Sequence, residues 1–249
     1  MERYQIILAY DGTEFLGFQR QEPTSRTVQS AVESALRCIG WEGSSILASG
    51  RTDTGVHASG QVVTFDHVWH HPEDALLRAL NAHLPSDVAV RTIRKVSRDF
   101  HPRFDAHRRS YCYRVVTDAI PYPLRDRYVW RVDFPLQLRL LEEAAALLPG
   151  QYDCAAFGTA PKPEGSTIRK IYDARWEQIQ EDEFHFSITA NAFLYHMVRR
   201  IVFLQLQVGQ GRLGLAELSA GITQEGELPG GLAPPNGLIL TEVDYESPR

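Results

Sequence analysis

Apolar residues recur along this chain in two rhythms, a period of two and a period of 3.6, and the same succession of rhythms occurs twice. In the first half, Tyr4 to Tyr10 alternates like a strand. Thr27 then precedes a stripe of Val28, Ala31, Val32, Ala35, Leu36 and Ile39 that stops at Gly40, which predicts a helix capped by the threonine hydroxyl and closed by the glycine. A second strand is expected at Ile46 to Ser49 and a third at Val62 to Phe65, with a glycine-punctuated loop between them. Pro72 opens a second helix through His83, and Val88 to Val96 alternates again. The second half repeats the plan. Strands are expected near Ser110 to Thr117, Ile171 to Ile179 and Glu183 to Thr189, and helices from about Pro135 to Leu148 and from Phe193 to Val208. A helix near Leu215 to Gly221 and a strand at Leu238 to Tyr245 close the chain. Thr159 to Ser166, with Pro161, Pro163 and Gly165, and Gly226 to Asn236 read as loops. Periodicity alone predicts a mixed α/β chain with antiparallel strands. Its two halves divide near Phe104 to Arg109, giving 1–105 and 106–249, with no Gly/Ser linker at the join.

At 249 residues and 43% hydrophobic, the chain has enough apolar surface for one large domain or two small ones. No run approaches the roughly 18 apolar residues of a membrane span. The start, MERYQIILAYDG, lacks the apolar core of a signal peptide, so a cytoplasmic protein without a membrane partner is expected. Cys38, Cys112 and Cys154 are far apart and form no Cys-x-x-Cys pair, which predicts buried free thiols rather than disulfides or a thiolate zinc site. His67, His70 and His71 have no second ligand set at metal-binding spacing and read as a polar loop after a strand.

The formal charge of −5 argues against nucleic acid until its distribution is seen. Between Arg91 and Arg131 stand 11 Lys+Arg and only 4 Asp+Glu, while the rest of the chain is acidic. A basic band on an acidic body suits phosphate binding, because affinity comes from local neutralisation and counterion release. Arginine supplies 23 of the 26 basic residues, and its planar fork fits phosphates and base edges.

The segment between the second and third strands, Gly50-Arg51-Thr52-Asp53-Thr54-Gly55-Val56-His57-Ala58, holds the chemistry. Glycines at 50, 55 and 60 permit sharp turns and close backbone approach to a ligand, and Asp53 falls at the tip with Arg51 two residues before it. A surface turn would explain a bare Arg-x-Asp-x-Gly. The longer string GRTDTGVHASGQV, however, resembles the catalytic loop of the pseudouridine synthases that act on the anticodon stem-loop of transfer RNA, the family of tRNA pseudouridine synthase A. The resemblance extends through AYDGTEFLGFQRQ, TVQ, NAHLP, DFHPRF, RSYCY, ANAFLYHMVRRIV, VGQGR and APPNGLIL, in order along nearly the whole chain. Thr54, where alanine is more usual, and Phe203, in place of a glycine, depart from the family pattern without removing a reactive group.

That resemblance implies an α+β pseudouridine synthase fold, two ferredoxin-like halves sharing a central antiparallel sheet with a cleft between them. It implies isomerisation of uridine to pseudouridine at positions 38, 39 and 40 of transfer RNA by a homodimer, with Asp53 as the catalytic carboxylate. The reaction breaks a C–N bond, turns the uracil and rejoins it through carbon, so it needs a carboxylate, a surface for the detached base and shelter from water. It consumes no redox equivalent, metal or nucleotide cofactor, in keeping with the lack of a P-loop or dinucleotide motif. By the same resemblance Tyr111 stacks on the uracil, Arg199 pairs with the aspartate, and Leu238 packs on the base as a lid. A stem uridine must leave its stack to react, and Arg51 is placed to fill the gap or hold the flipped phosphate. A non-catalytic RNA-binding protein would not need the Asp53 loop together with Tyr111 and Arg199. A glycoside hydrolase would bring a second acidic residue, which the loop lacks.

Overall fold

The computed structural model describes residues 1–21, 26–160, 162 and 164–246. In chain order the strands are β1 (Glu2–Tyr10), β2 (Leu47–Ala48), β3 (His57–His67), β4 (Val88–Val96), β5 (Arg108–Thr117), β6 (Trp130–Val132), β7 (Gly150–Asp153), β8 (Ile168–Gln178), β9 (Glu183–Ala190) and β10 (Leu238–Asp244). The helices are α1 (Val28–Cys38), α2 (Glu73–His83), α3 (Pro123–Asp126), α4 (Leu138–Ala146), α5 (Met197–Gly209) and α6 (Leu215–Ile222). The chain divides into two compact units. One runs from Met1 to His107 and takes in the end of the chain from Ile239, and the other is Arg108–Leu238.

In the first unit β1 lies between β3 and β4 and is antiparallel to both, while β2 and β10 lie against β3, antiparallel and parallel respectively. Paired residues share a face, so the pairs Tyr4 with Phe65 and Ile6 with Val63 stack their side chains on one side of the sheet. These residues, together with Val32, Leu36, Leu76 and Leu80 of the two helices, are buried and form the core of this unit. On the other face Arg3 grips Asp66 with two parallel hydrogen bonds of 2.7 and 2.8 Å. Helix α1 starts as its sequence predicts. The Thr27 hydroxyl accepts the N–H of Ser30, and the Ser30 hydroxyl accepts the N–H of Thr27. It ends in Gly40 at φ +85°, the left-handed conformation that glycine adopts without strain.

In the second unit the strands run in the order β5-β9-β8-β7, all antiparallel, with β6 parallel to β5. Tyr113 pairs with Phe186 and Val115 with Phe184, and both pairs are buried. Helix α4 packs on β8 and on α5. Its Leu141, Ala144 and Ala145 join Met197, Ile201 and Leu204 of α5 in this unit's core.

Several boundaries differ from the expected ones for local reasons. β3 begins at His57, not Val62, because Ala58 already pairs with Tyr10 and with Leu240. The helix expected from Pro135 starts at Leu138, because Gln137 is extended at φ −94°, ψ 102°, with its N–H donated to the carbonyl of Gly209. The helix expected from Phe193 starts at Met197, because Tyr195 pairs with Thr159 and His196 is left-handed at φ +65°. The last strand belongs with the first unit, so its division from the second falls at His107/Arg108 and again at Leu238/Ile239, whereas the sequence suggested a single join at 105/106. Within the expected loop at Thr159 to Ser166, Pro161 and Pro163 lie outside the described residues. The thiols correct another expectation. Cys154 is buried, Cys112 is half-buried and Cys38, at the last position of α1, is exposed. Burial pushes the Cys112 and Cys154 thiols up to about 11.

Candidate functional site

The Asp53 loop is built against the segment Ala9 to Gln21. The phenol of Tyr10, at the end of β1, meets the Thr52 hydroxyl at 2.8 Å in a buried contact. The Thr52 carbonyl accepts the N–H of Phe18, and the Asp53 carbonyl accepts the N–H of Val56. On the entering side, the Gly50 carbonyl accepts from the Gln61 side chain, whose oxygen in turn accepts the Ser49 hydroxyl. Thr52 is therefore buried and fixed at both its backbone and its side chain, while Asp53 is half-buried and Arg51 exposed.

Two glycines permit this fit. Gly17 sits at φ +86° with the Thr52 carbonyl oxygen 3.0 Å from where a Cβ would stand. Gly12 lies so close to the Val56 carbonyl that any Cβ would collide with it. The Gly12 N–H donates to Nδ1 of His57, 3.0 Å away, and a carboxylate oxygen of Asp11 lies 3.2 Å from the same nitrogen. Asp11, Tyr10 and His57 thus join the loop's support. Nothing in the motif AYDG alone marks them as the loop's support, because their contact with GVHA forms only in the fold.

A second polar bracket holds the loop's flanks. Glu33, buried on α1, accepts from the Gln29 side chain, the Ile46 N–H and the Arg20 guanidinium. The Gln29 side chain also accepts the Arg20 N–H. The segment that backs the loop and the chain that enters it are thereby tied to the same helix.

In the second unit Tyr111 lies mid-strand in β5, half-buried, with its ring edge-on to Phe193 at 5.0 Å. Two residues on, Tyr113 is fully buried and donates its hydroxyl to the Pro234 carbonyl at 2.7 Å. Burial pushes its phenol well above the ordinary value, against the opposing pull of the Arg199 charge. Arg199, on the first turn of α5, donates Nε to the Ala233 carbonyl at 2.7 Å, and Ala233 returns its N–H to the Arg199 carbonyl. Asn236 donates to the carbonyls of Asp126 and Val129, so the loop APPNG is fastened at three points. Leu238 follows it directly and is buried. Arg199 and Tyr113 thus both fasten the 233–237 loop that leads into Leu238, Tyr111 lies two positions from Tyr113 on β5, and Asp53 and Arg51 share the loop of the first unit. Arg200, one position on from Arg199, points elsewhere and donates to the Gly231 carbonyl.

The basic band is less uniform than its sequence suggested. Arg114 engages Glu183, Arg125 engages Asp118 and Asp182, and Arg131 engages Asp126. Arg108 lies over the Tyr172 ring at 4.6 Å. These contacts divert part of the charge into internal pairing. No group of three or more metal-ligating side chains occurs among the described residues, and no helix among them is long and apolar enough to cross a membrane.

A family model described as tRNA pseudouridine synthase matches residues 6–105 and 144–246. Asp53, Arg51, Arg199 and Leu238 fall inside the matched segments, and Tyr111 falls in the interval between them. The tRNA pseudouridine synthase A of Limosilactobacillus fermentum is 39% identical over 253 residues, covering 100% of this chain and 98% of its own. That of Brevibacillus brevis is 39% identical over 246 residues, covering 98% and 100%. That of Halalkalibacterium halodurans is 42% identical over 243 residues, covering 96% and 91%. A chain in the crystal structure of the archaeal box H/ACA sRNP Nop10-Cbf5 complex aligns with 82% of this chain and 44% of its own, at a TM-score of 0.35 and 13% identity, values too low to bear on the fold.

Proposed function

The chain belongs to the tRNA pseudouridine synthase family and isomerises uridine to pseudouridine in tRNA, and from that premise we propose that it acts at positions 38, 39 and 40 of the anticodon stem-loop with Asp53 as its catalytic carboxylate. The observation that carries the reading is the Asp53 loop itself. Its neighbour Thr52 is locked by the Tyr10 hydroxyl and the Phe18 N–H, so the one carboxylate of the GRTDTG motif is presented by a fixed backbone. Such preorganisation is what a reaction of one group on one substrate atom requires.

Tyr111 offers the uracil an aromatic face, its ring packed at right angles against Phe193. Arg199 holds a guanidinium steadied through Nε and stabilises the carboxylate. Exposed Arg51 takes the phosphate of the flipped nucleotide. Leu238, on the fastened 233–237 loop, closes over the base. The two ferredoxin-like halves are part of the same proposal. In the first unit the order β1-α1-β2-β3-α2-β4, with β1 between β3 and β4 and β2 on β3, supports it. So are a homodimer and residence in the cytoplasm.

Mapping pseudouridine by chemical labelling and primer extension on an unmodified transfer RNA incubated with the protein alone tests the assignment. Stops at positions 38 to 40 are expected. Modification confined to another arm would overturn the site while leaving the family intact.

A further inference from the structure

Between Phe193 and α5 the chain displays Tyr195, an aromatic side chain 55% exposed on a backbone that is held tightly. Its N–H donates to the Thr159 carbonyl at 2.9 Å. Gly158 packs so closely on its carbonyl that a Cβ there would collide. One face of its ring stacks on His196, with centroids 3.6 Å apart and planes 28° from parallel. That stack depends on His196 adopting φ +65°, a conformation unfavourable for a residue with a Cβ and one that concentrates at functional positions. The result is a rigid ring, backed by an imidazole, with its other face open. An exposed tyrosine could instead be an ordinary surface residue, but such residues are not usually fixed on both sides and stacked over a strained neighbour.

Five residues on, Arg200 lines a groove of about 330 Å³ with Ala155, Ala156, Gln224 and Leu228. Among the described residues it has no carboxylate partner, and burial pulls its guanidinium pKa down, so an anion there would gain a poorly hydrated cation. Ala155 and Ala156 lie on the turn that ends in Gly158, the residue packed against Tyr195, so groove and ring share one scaffold.

We infer that Tyr195 and Arg200 form a subsite for a nucleotide neighbouring the target uridine, its unstacked base on the open face of Tyr195 and its phosphate in the Arg200 groove. The inference rests on the proposed action at Tyr111, because Phe193, the residue packed against Tyr111, is two positions from Tyr195. Every base has a π face, so such a subsite grips RNA without reading its sequence, and it contributes affinity rather than chemistry.

The test measures binding of an unmodified tRNA transcript across a salt series, together with single-turnover pseudouridine formation at saturating enzyme. Tyr195→Ala and Tyr195→Leu should weaken binding about 5- to 100-fold, the range expected for one stacked base. Tyr195→Phe should stay within about twofold, because the ring face is kept. Saturated rates should stay within about threefold of wild type in all three, since no group in the chemistry has changed. Arg200→Gln should flatten the salt dependence by about one phosphate contact. Wild-type binding in Tyr195→Ala, a loss in Tyr195→Phe as large as in Tyr195→Ala, or an unchanged slope in Arg200→Gln would each overturn the subsite. If Tyr195→Ala does not fold, the contrast between Leu and Phe decides it. Absence of pseudouridine with the wild-type protein would be a failure of the parent reading, whereas active wild type with indifferent Tyr195 variants would be a failure of the subsite alone.

Discussion

Asp53 and Tyr111 are placed by different physical means. Around Asp53 the backbone turns away from regular structure, and hydrogen bonds from Tyr10, Phe18 and Gln61, with two glycines at close approach, hold it in shape. Around Tyr111 the backbone is an ordinary antiparallel ladder, and the ring packs against Phe193, two positions along the strand from the Tyr113 that fastens the 233–237 loop. A bracket of hydrogen bonds and close contacts fails when atoms are added. A packed sheet fails when a buried contact is removed.

The largest effect expected is on the loop's single carboxylate. Asp53→Asn keeps the shape and much of the hydrogen bonding, so folding and tRNA binding should survive while pseudouridine formation falls by several orders of magnitude, each tenfold being about 1.4 kcal/mol of barrier. Single-turnover tritium release from C5-labelled uridine in tRNA measures it. A rate within about tenfold of wild type would sink the catalytic assignment, since so small a barrier change does not fit an essential group.

Adding one methyl to the bracket should come next. Gly12→Ala drives a Cβ into the Val56 carbonyl, and overpacking of this kind costs typically about 1–3 kcal/mol or more. Gly17→Ala combines a tight contact to Thr52 with a left-handed φ, about 1–2 kcal/mol by itself. Both variants should melt at lower temperature, and any folded fraction should show a reduced saturated rate with little change in tRNA affinity. A Gly12→Ala protein with wild-type melting and rate would show that the loop is not fixed from behind.

How far the sequence foretold these two regions follows the same division. The alternation in Tyr4 to Tyr10 and Val88 to Val96, and the Thr27 cap, are local signals, and each element forms where they place it. The short pieces β6, β7 and α3 span three or four residues, too few for any period to register. The start of α5 has no local signal, because the pairing of Tyr195 with Thr159 that precedes the left-handed His196 involves a segment over thirty residues away in sequence. The chemistry-bearing residues were legible as motifs. Their support was not. The Glu33 bracket joins Arg20, Gln29 and Ile46 through contacts that no spacing rule encodes.

On the packed side, removing one buried contact should have a moderate effect. Tyr113→Phe leaves the Pro234 carbonyl without its donor in a buried setting, a loss of about 1–3 kcal/mol, and loosens the loop that carries Ala233 and Leu238. Urea unfolding should show the loss. Because Ala233 accepts from Arg199, the saturated rate should also fall, though far less than in Asp53→Asn. Unchanged stability would mean that the 233–237 loop is held by its other fastenings alone.

The smallest effect sets one carboxylate of each unit against the other in acid. Glu183 on β9 is buried, which raises its pKa, but hydrogen bonds from His185 and Arg114 outweigh burial and hold it below the ordinary glutamate value. Asp66 on β3 is held down chiefly by the Arg3 fork, against the opposing effect of burial, and its side chain is 36% exposed where that of Glu183 is 8%. Both folded-state pKa values are depressed. Each group therefore contributes stability that is fully present above its unfolded-state pKa, near 4, and is lost as pH falls through the folded value. Neutral-pH stability should not depend on this titration, and the loss should appear below about pH 4. Solvent screens the more exposed pair, so the acid limb should owe more to Glu183 than to Asp66. Urea midpoints followed from pH 6 down to pH 3 should fall less steeply in Glu183→Gln than in wild type, with a smaller change in slope for Asp66→Asn. A reversed order would show that the two-pronged Arg3 grip on Asp66 outweighs burial, and that even the outer face of the first unit depends more on hydrogen-bond geometry than on exclusion of water.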